Sequence, residues 1–120
     1  MSQVLKLRYA DLPINWHQLH QLSDGNEEFE LELLKIFFVE TDNRLQLASR
    51  AIASQDCQTL QYLAHQIKGA SGNLGFQDMW NAAASLEQQA RQAELSQGTH
   101  LLERLMTSLA RVKHFLEATN

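Results

Sequence analysis

Within "AHQIKGASGNLGF" (residues 64–76), His65 is followed by Lys68 three positions on, Gly69 four on and Gly72 seven on. Those offsets place the four on one face of a helix. An unperturbed imidazole has a pKa of about 6.5, so it is largely neutral and nucleophilic near pH 7. The ammonium one turn on can act as a point charge towards an anion. Three of the chain's five glycines, Gly69, Gly72 and Gly75, fall in this stretch. Each glycine inside a helix costs about 1 kcal/mol relative to alanine. On a face turned away from the core, such glycines clear space beside the histidine for an approaching partner.

The elements that must position this face are helical. Pro13 is the single proline, so nothing interrupts a helix beyond it. A short helix is expected over about 11–22, capped by Asp11, with Pro13 in its first turn and Trp16 and Leu19 packing on the rest. "SDGN" (Ser23–Asn26) reads as a turn. The bundle occupies about 26–118. Its first helix, 26–54, carries the stripe Phe29, Leu33, Leu34, Phe37, Thr41, Leu45, Ala48 and Ile52. Asp56 caps the next helix, 56–74, whose inner side is Leu60, Leu63, Ala64, Ile67, Ser71 and Leu74, and Gly75 ends it. Met79, Ala83, Leu86, Ala90 and Ala93 mark a third helix over 77–95 with a narrow stripe suited to close packing. After "SQGT" (Ser96–Thr99), Leu102, Leu105, Leu109, Val112 and Leu116 mark a fourth over 99–118. Four amphipathic helices joined by short turns give an all-α, antiparallel up-down-up-down four-helix bundle with a short extra N-terminal helix, one domain over 1–120.

"HQIKGASGNLG" (His65–Gly75) resembles the signature of histidine-containing phosphotransfer (HPt) domains, the carrier modules of multistep two-component phosphorelays. That pattern is His, Lys three on, Gly four on, a small residue six on and Gly ten on, met here by His65, Lys68, Gly69, Ser71 and Gly75. "LLKIFFVETDNRLQLASRAIASQD" (Leu33–Asp56) resembles the family's preceding long helix, and "SLEQQAR" (Ser85–Arg91) its following one. The resemblance spans about 26–118.

It implies that His65 accepts a phosphoryl group from a receiver-domain aspartate and passes it to another receiver, and that the module has no kinase activity. Lys68 would stabilise the phosphoryl oxygens. Gln66, Gly69, Gly72 and Ser71 would serve receiver docking or support the site. In some family members a glutamine on the following helix contacts the histidine; here the corresponding place is Glu87 or its neighbour Gln88. The partners implied are receiver domains of response regulators or a hybrid sensor histidine kinase. The magnesium ion would be supplied at the receiver's active site, with no cofactor of the chain's own.

Other function classes fare worse. A net charge of −4 argues against nucleic-acid binding. Cys57 is the only cysteine, so neither an intrachain disulfide nor a multi-cysteine metal site can form. The residues three before the five histidines are Ile14, His17, Tyr62, Gln97 and Arg111, so the Glu-x-x-His pairs of di-iron bundles are absent. His17 with His20, and His114 with Glu117, share helix faces but complete no site of three ligands. No phosphate-binding G-x-x-x-x-G-K-[ST] loop occurs. The start lacks a signal peptide's apolar core, and the longest apolar run, Ile36–Val39, is too short for a membrane span. A free-standing cytoplasmic monomer is expected. A passive helical adaptor that binds receiver or kinase domains without transferring phosphate is the alternative.

Overall fold

A computed structural model describes residues 12–119. Five helices follow one another: α1 (Trp16–Ser23), α2 (Glu27–Ala53), α3 (Cys57–Leu74), α4 (Gln77–Arg91) and α5 (Gly98–Thr119), with no strand among the described residues. Helix α2 packs on α3 and α5, and α4 packs on the same two, which closes a square antiparallel bundle; α1 lies across α2 and α3.

The turns are built from local chemistry. Asn26 and Asp56 cap α2 and α3 by accepting from the backbone N–H groups of Phe29 and Thr59. Helix α3 ends at Gly75, whose φ of +94° a side chain would resist. The N–H groups of Gly75 and Phe76 both return to the Ser71 carbonyl, which turns the chain sharply into α4.

The inner side of α3 is as its spacing predicts: Leu60, Leu63, Ala64, Ile67, Ser71 and Leu74 are all buried. Phe37 of α2 stacks on Phe76 at the α3–α4 corner, with ring centroids 4.9 Å apart.

Three expectations are corrected. Helix α1 begins at Trp16, not near residue 11, and Asn15 caps it through the Gln18 N–H. Pro13 therefore precedes the helix; Asp11 lies outside the described residues. Asn15 is the start because its own N–H is tied to the Gly75 carbonyl, 2.9 Å away. On α2, Phe29 is exposed and Glu30 takes the inward place. The Glu30 carboxylate accepts from Ser23 and contacts His20 Nδ1, both on α1. Helix α4 stops at Arg91, because Ala93 adopts a left-handed φ of +56°. Ala93 is thus exposed rather than part of the packing stripe, and Leu95 covers the core from the loop instead.

Candidate functional site

Ala64 and Ile67 anchor α3 in the core, so His65 is turned outward with 66% of its side chain exposed. Helix α4 runs alongside. Its small inner residues, Ala82, Ala83 and Ala90, let it approach α3 closely, and Leu86 fixes its rotation. The next residue, Glu87, is thereby aimed at α3 and is 7% exposed at its side chain.

The two helices meet in a small ionic cluster. Glu87 Oε2 lies 2.8 Å from His65 Nδ1, and Glu87 Oε1 lies 2.6 Å from Lys68 Nζ. Burial pushes the Glu87 carboxyl up, but hydrogen bonds from Lys68 and His65, together with their charges, outweigh it and hold the group below its ordinary value. It is therefore a carboxylate near neutral pH. A carboxylate only accepts, so the proton shared with His65 sits on Nδ1 and donates to Glu87. In the neutral ring the remaining nitrogen, Nε2, then carries the lone pair, on a ring open to solvent. Lys68 is more enclosed, with 26% of its side chain exposed. Its ammonium has three donors, so one can hold Glu87 while others face an anion at the histidine.

The other sequence candidates divide. Gly69 is exposed, and a Cβ built on it meets nothing within 4 Å, so the surface there is open. A Cβ on Gly72 would stand 3.0 Å from Trp80 Cδ1, and its carbonyl accepts from Gln18 of α1. Gly72 therefore serves contacts inside the fold, and the expected flat patch ends at Gly69. Ser71 is fully buried and cannot touch a docked protein; its small size suits the α3 core face. Gln66 donates to the exposed Tyr62 phenol, 2.9 Å away. Gln88 points outward, where Arg91 donates to its Oε1 at 3.2 Å. Glu87, not Gln88, is the group on the histidine.

Two neighbours were not singled out from sequence. Arg91 Nη2 stands 3.5 Å from Glu87 Oε2; the signal was the i, i+4 spacing from Glu87 to Arg91. Tyr62, one turn before His65, lines with Gln58, Gln61, His65 and Glu87 a shallow cavity of about 400 Å³.

Among the described residues, no group of three or more His, Cys, Asp or Glu side chains is placed to hold a metal ion. None of their helices is long and apolar enough to cross a membrane.

A helical bundle that presents a solvent-facing imidazole beside an ammonium group and a side-chain-free surface, with one ring nitrogen tied down by a carboxylate, has the form of a group carrier. The chain belongs to the Hpt domain family, whose sequence model matches residues 32–117. The structure is similar to that of histidine-containing phosphotransfer protein B (HptB) from Pseudomonas aeruginosa PAO1, with a TM-score of 0.80 and 27% identity over 89% of this chain and 93% of that one. It also shares the fold of the HPT domain of a sensor hybrid histidine kinase from Shewanella, with a TM-score of 0.72 and 18% identity over 89% and 92% of the two chains. No curated protein matches the chain in sequence. Histidine phosphotransfer within a phosphorelay is therefore the function of this chain, and members of its family are carriers rather than kinases.

Proposed function

We propose that His65 is the phosphoryl acceptor and that Nε2 is its nucleophilic atom. The observation that carries this reading is the contact of Glu87 with His65 Nδ1, which leaves Nε2 free on an exposed ring. Transfer from a receiver domain then proceeds by attack of the Nε2 lone pair on the phosphorus of the aspartyl phosphate. A P–N bond forms, the P–O bond to the aspartate breaks, and its electron pair returns to the aspartate carboxylate. No proton has to move. The Nδ1–H remains on the ring, and the positive charge that develops there faces Glu87. The reverse sequence delivers the group to a second receiver.

Lys68 bridges Glu87 and the phosphoryl oxygens, and the open surface at Gly69 admits the receiver's active-site loops. Phosphoryl transfer is largely positioning and charge stabilisation, and this side of the complex supplies both with few groups. Magnesium comes with the receiver's acidic pocket, and the chain needs no cofactor of its own. It works as a monomer in the cytoplasm, between receiver domains or beside a hybrid sensor kinase.

The test is labelling. Receiver domains carrying labelled phosphate on their aspartate should label the wild-type chain and leave His65→Gln unlabelled, with unchanged circular dichroism. Labelled ATP and magnesium alone should label neither protein. Persistent label in His65→Gln would move the acceptor to another histidine, and incorporation from ATP alone would contradict the carrier role.

A further inference from the structure

We propose that Arg91 is a phosphoryl-contacting residue and the uncompensated cation of the site, an inference that rests on the reading of His65 as acceptor. Four ionisable side chains meet here. Glu87 supplies one negative charge; Lys68 and Arg91 supply two positive ones; His65 donates its Nδ1–H to Glu87. Among the described residues, no second carboxylate pairs with any of the three bases.

The contacts decide which cation is spare. Lys68 stands 2.6 Å from Oε1, and His65 stands 2.8 Å from Oε2. Both carboxylate oxygens are thus engaged at hydrogen-bond distance. Arg91 reaches the same Oε2 only at 3.5 Å, beyond a good hydrogen bond, and its side chain is 55% exposed. Its other contact is the neutral amide oxygen of Gln88. Lys68 therefore neutralises Glu87, and Arg91 is left over. The site carries one surplus positive charge on a chain whose net charge is −4.

Guanidinium and imidazole contact one oxygen atom, so they are neighbours across the α3–α4 seam. Arg91 lies one turn after Glu87 on α4, and Lys68 one turn after His65 on the antiparallel α3. The two cations therefore flank Glu87 from opposite sides. A phosphoryl group on Nε2 brings close to two negative charges to an environment with one spare cation. A planar guanidinium can donate to two of its oxygens at once. The weak grip of Glu87 on Arg91 leaves the side chain free to make that move. At 3.5 Å, and with the Arg91 side chain more than half exposed, this contact adds little to stability, so Arg91 can be replaced without loss of the fold.

The experiment compares wild type, Arg91→Gln and Arg91→Lys in single-turnover transfer from a phosphorylated receiver, at subsaturating and saturating receiver. Arg91→Gln should melt as wild type does. Its transfer rate at saturation should fall about tenfold, and Arg91→Lys should recover part of that loss. In wild type, the Arg91 side-chain N–H resonances should shift on phosphorylation of the isolated chain. A wild-type saturating rate in Arg91→Gln would overturn the proposal, as would a defect confined to receiver affinity. Absence of label on wild-type His65 would overturn the acceptor reading itself, a separate outcome read in the same assay.

Discussion

Glu87 and His65, twenty-two residues apart in sequence, are joined through Oε2 and Nδ1 at 2.8 Å. This contact selects the imidazole tautomer, and it predicts a divergence between two substitutions. Glu87→Gln retains a carbonyl oxygen that can accept from Nδ1 and should keep that tautomer. Glu87→Ala should give a mixture of both tautomers and lose about 1–2 kcal/mol, since the Lys68 ammonium, three-quarters buried, is left without its partner. Imidazole ¹⁵N shifts and urea unfolding check the two outcomes. Identical tautomer ratios in wild type and Glu87→Ala would remove Glu87 from the role given to it.

The same carboxyl sets a pH dependence. Its value in the folded chain is held below that in the unfolded chain. The unfolded state therefore binds the proton first as pH falls, and stability is lost on the acid side. The contribution is fully present above the ordinary carboxylate value of about 4.3 and disappears as pH drops through the lower folded value. Asp56, hydrogen-bonded by Thr59, and Glu94, hydrogen-bonded by Ser96, are shifted in the same direction. Both cancel when wild type is compared with Glu87→Gln at each pH. The difference in unfolding free energy should shrink below about pH 4; a difference unchanged across that acid range would contradict the assignment.

Gly69 and Gly72 of α3 should behave differently. Gly69→Ala meets no neighbour and gains helix propensity, so stability should hold or rise by up to about 1 kcal/mol. Gly69→Gln should slow receiver transfer by more than any change in melting explains. Gly72→Ala must displace the Trp80 indole, 3.0 Å from the new Cβ. Tryptophan emission should change in Gly72→Ala and stay unchanged in Gly69→Ala. Wild-type transfer by Gly69→Gln would end the clearance argument.

At the far end of the bundle, His20 should matter to stability as no other histidine does. Glu30 is fully buried, with His20 and Ser23 on one oxygen and the other, Oε1, unpaired among the described residues. Removing His20 leaves that carboxylate poorly compensated and loosens α1. His20→Ala should cost about 1–3 kcal/mol, whereas the exposed His17→Ala should be neutral within error. Equal urea midpoints for the two variants would contradict this.

The α3 face was legible in the sequence because Leu60, Ala64, Ile67 and Ser71 repeat at helical spacing and leave His65 and Gly69 on the other side. The choice between Glu87 and Gln88 was open because it depends on the rotation of α4. Glu87 lies four residues after Ala83 and three before Ala90, which puts it beside the packed stripe, while Gln88 is one further step around the helix. The close approach of Trp80 to Gly72 was not legible, since Trp80 comes from the neighbouring helix. Nor was the start of α1, which Asn15 sets through a hydrogen bond to distant Gly75. Phe29 looked like core on hydrophobicity alone; the inward Glu30 makes sense only with His20 and Ser23 beside it.

The most direct measurement of the central claim is the position of the phosphoryl group on the ring. The chain, labelled with ¹⁵N in its histidines, is phosphorylated by a receiver domain and followed by ³¹P and ¹⁵N NMR. The account predicts one new phosphorus–nitrogen bond, at His65 Nε2, with the proton retained on Nδ1 and held by Glu87. Phosphorus on His65 Nδ1, or on any of the four other histidines, would contradict it.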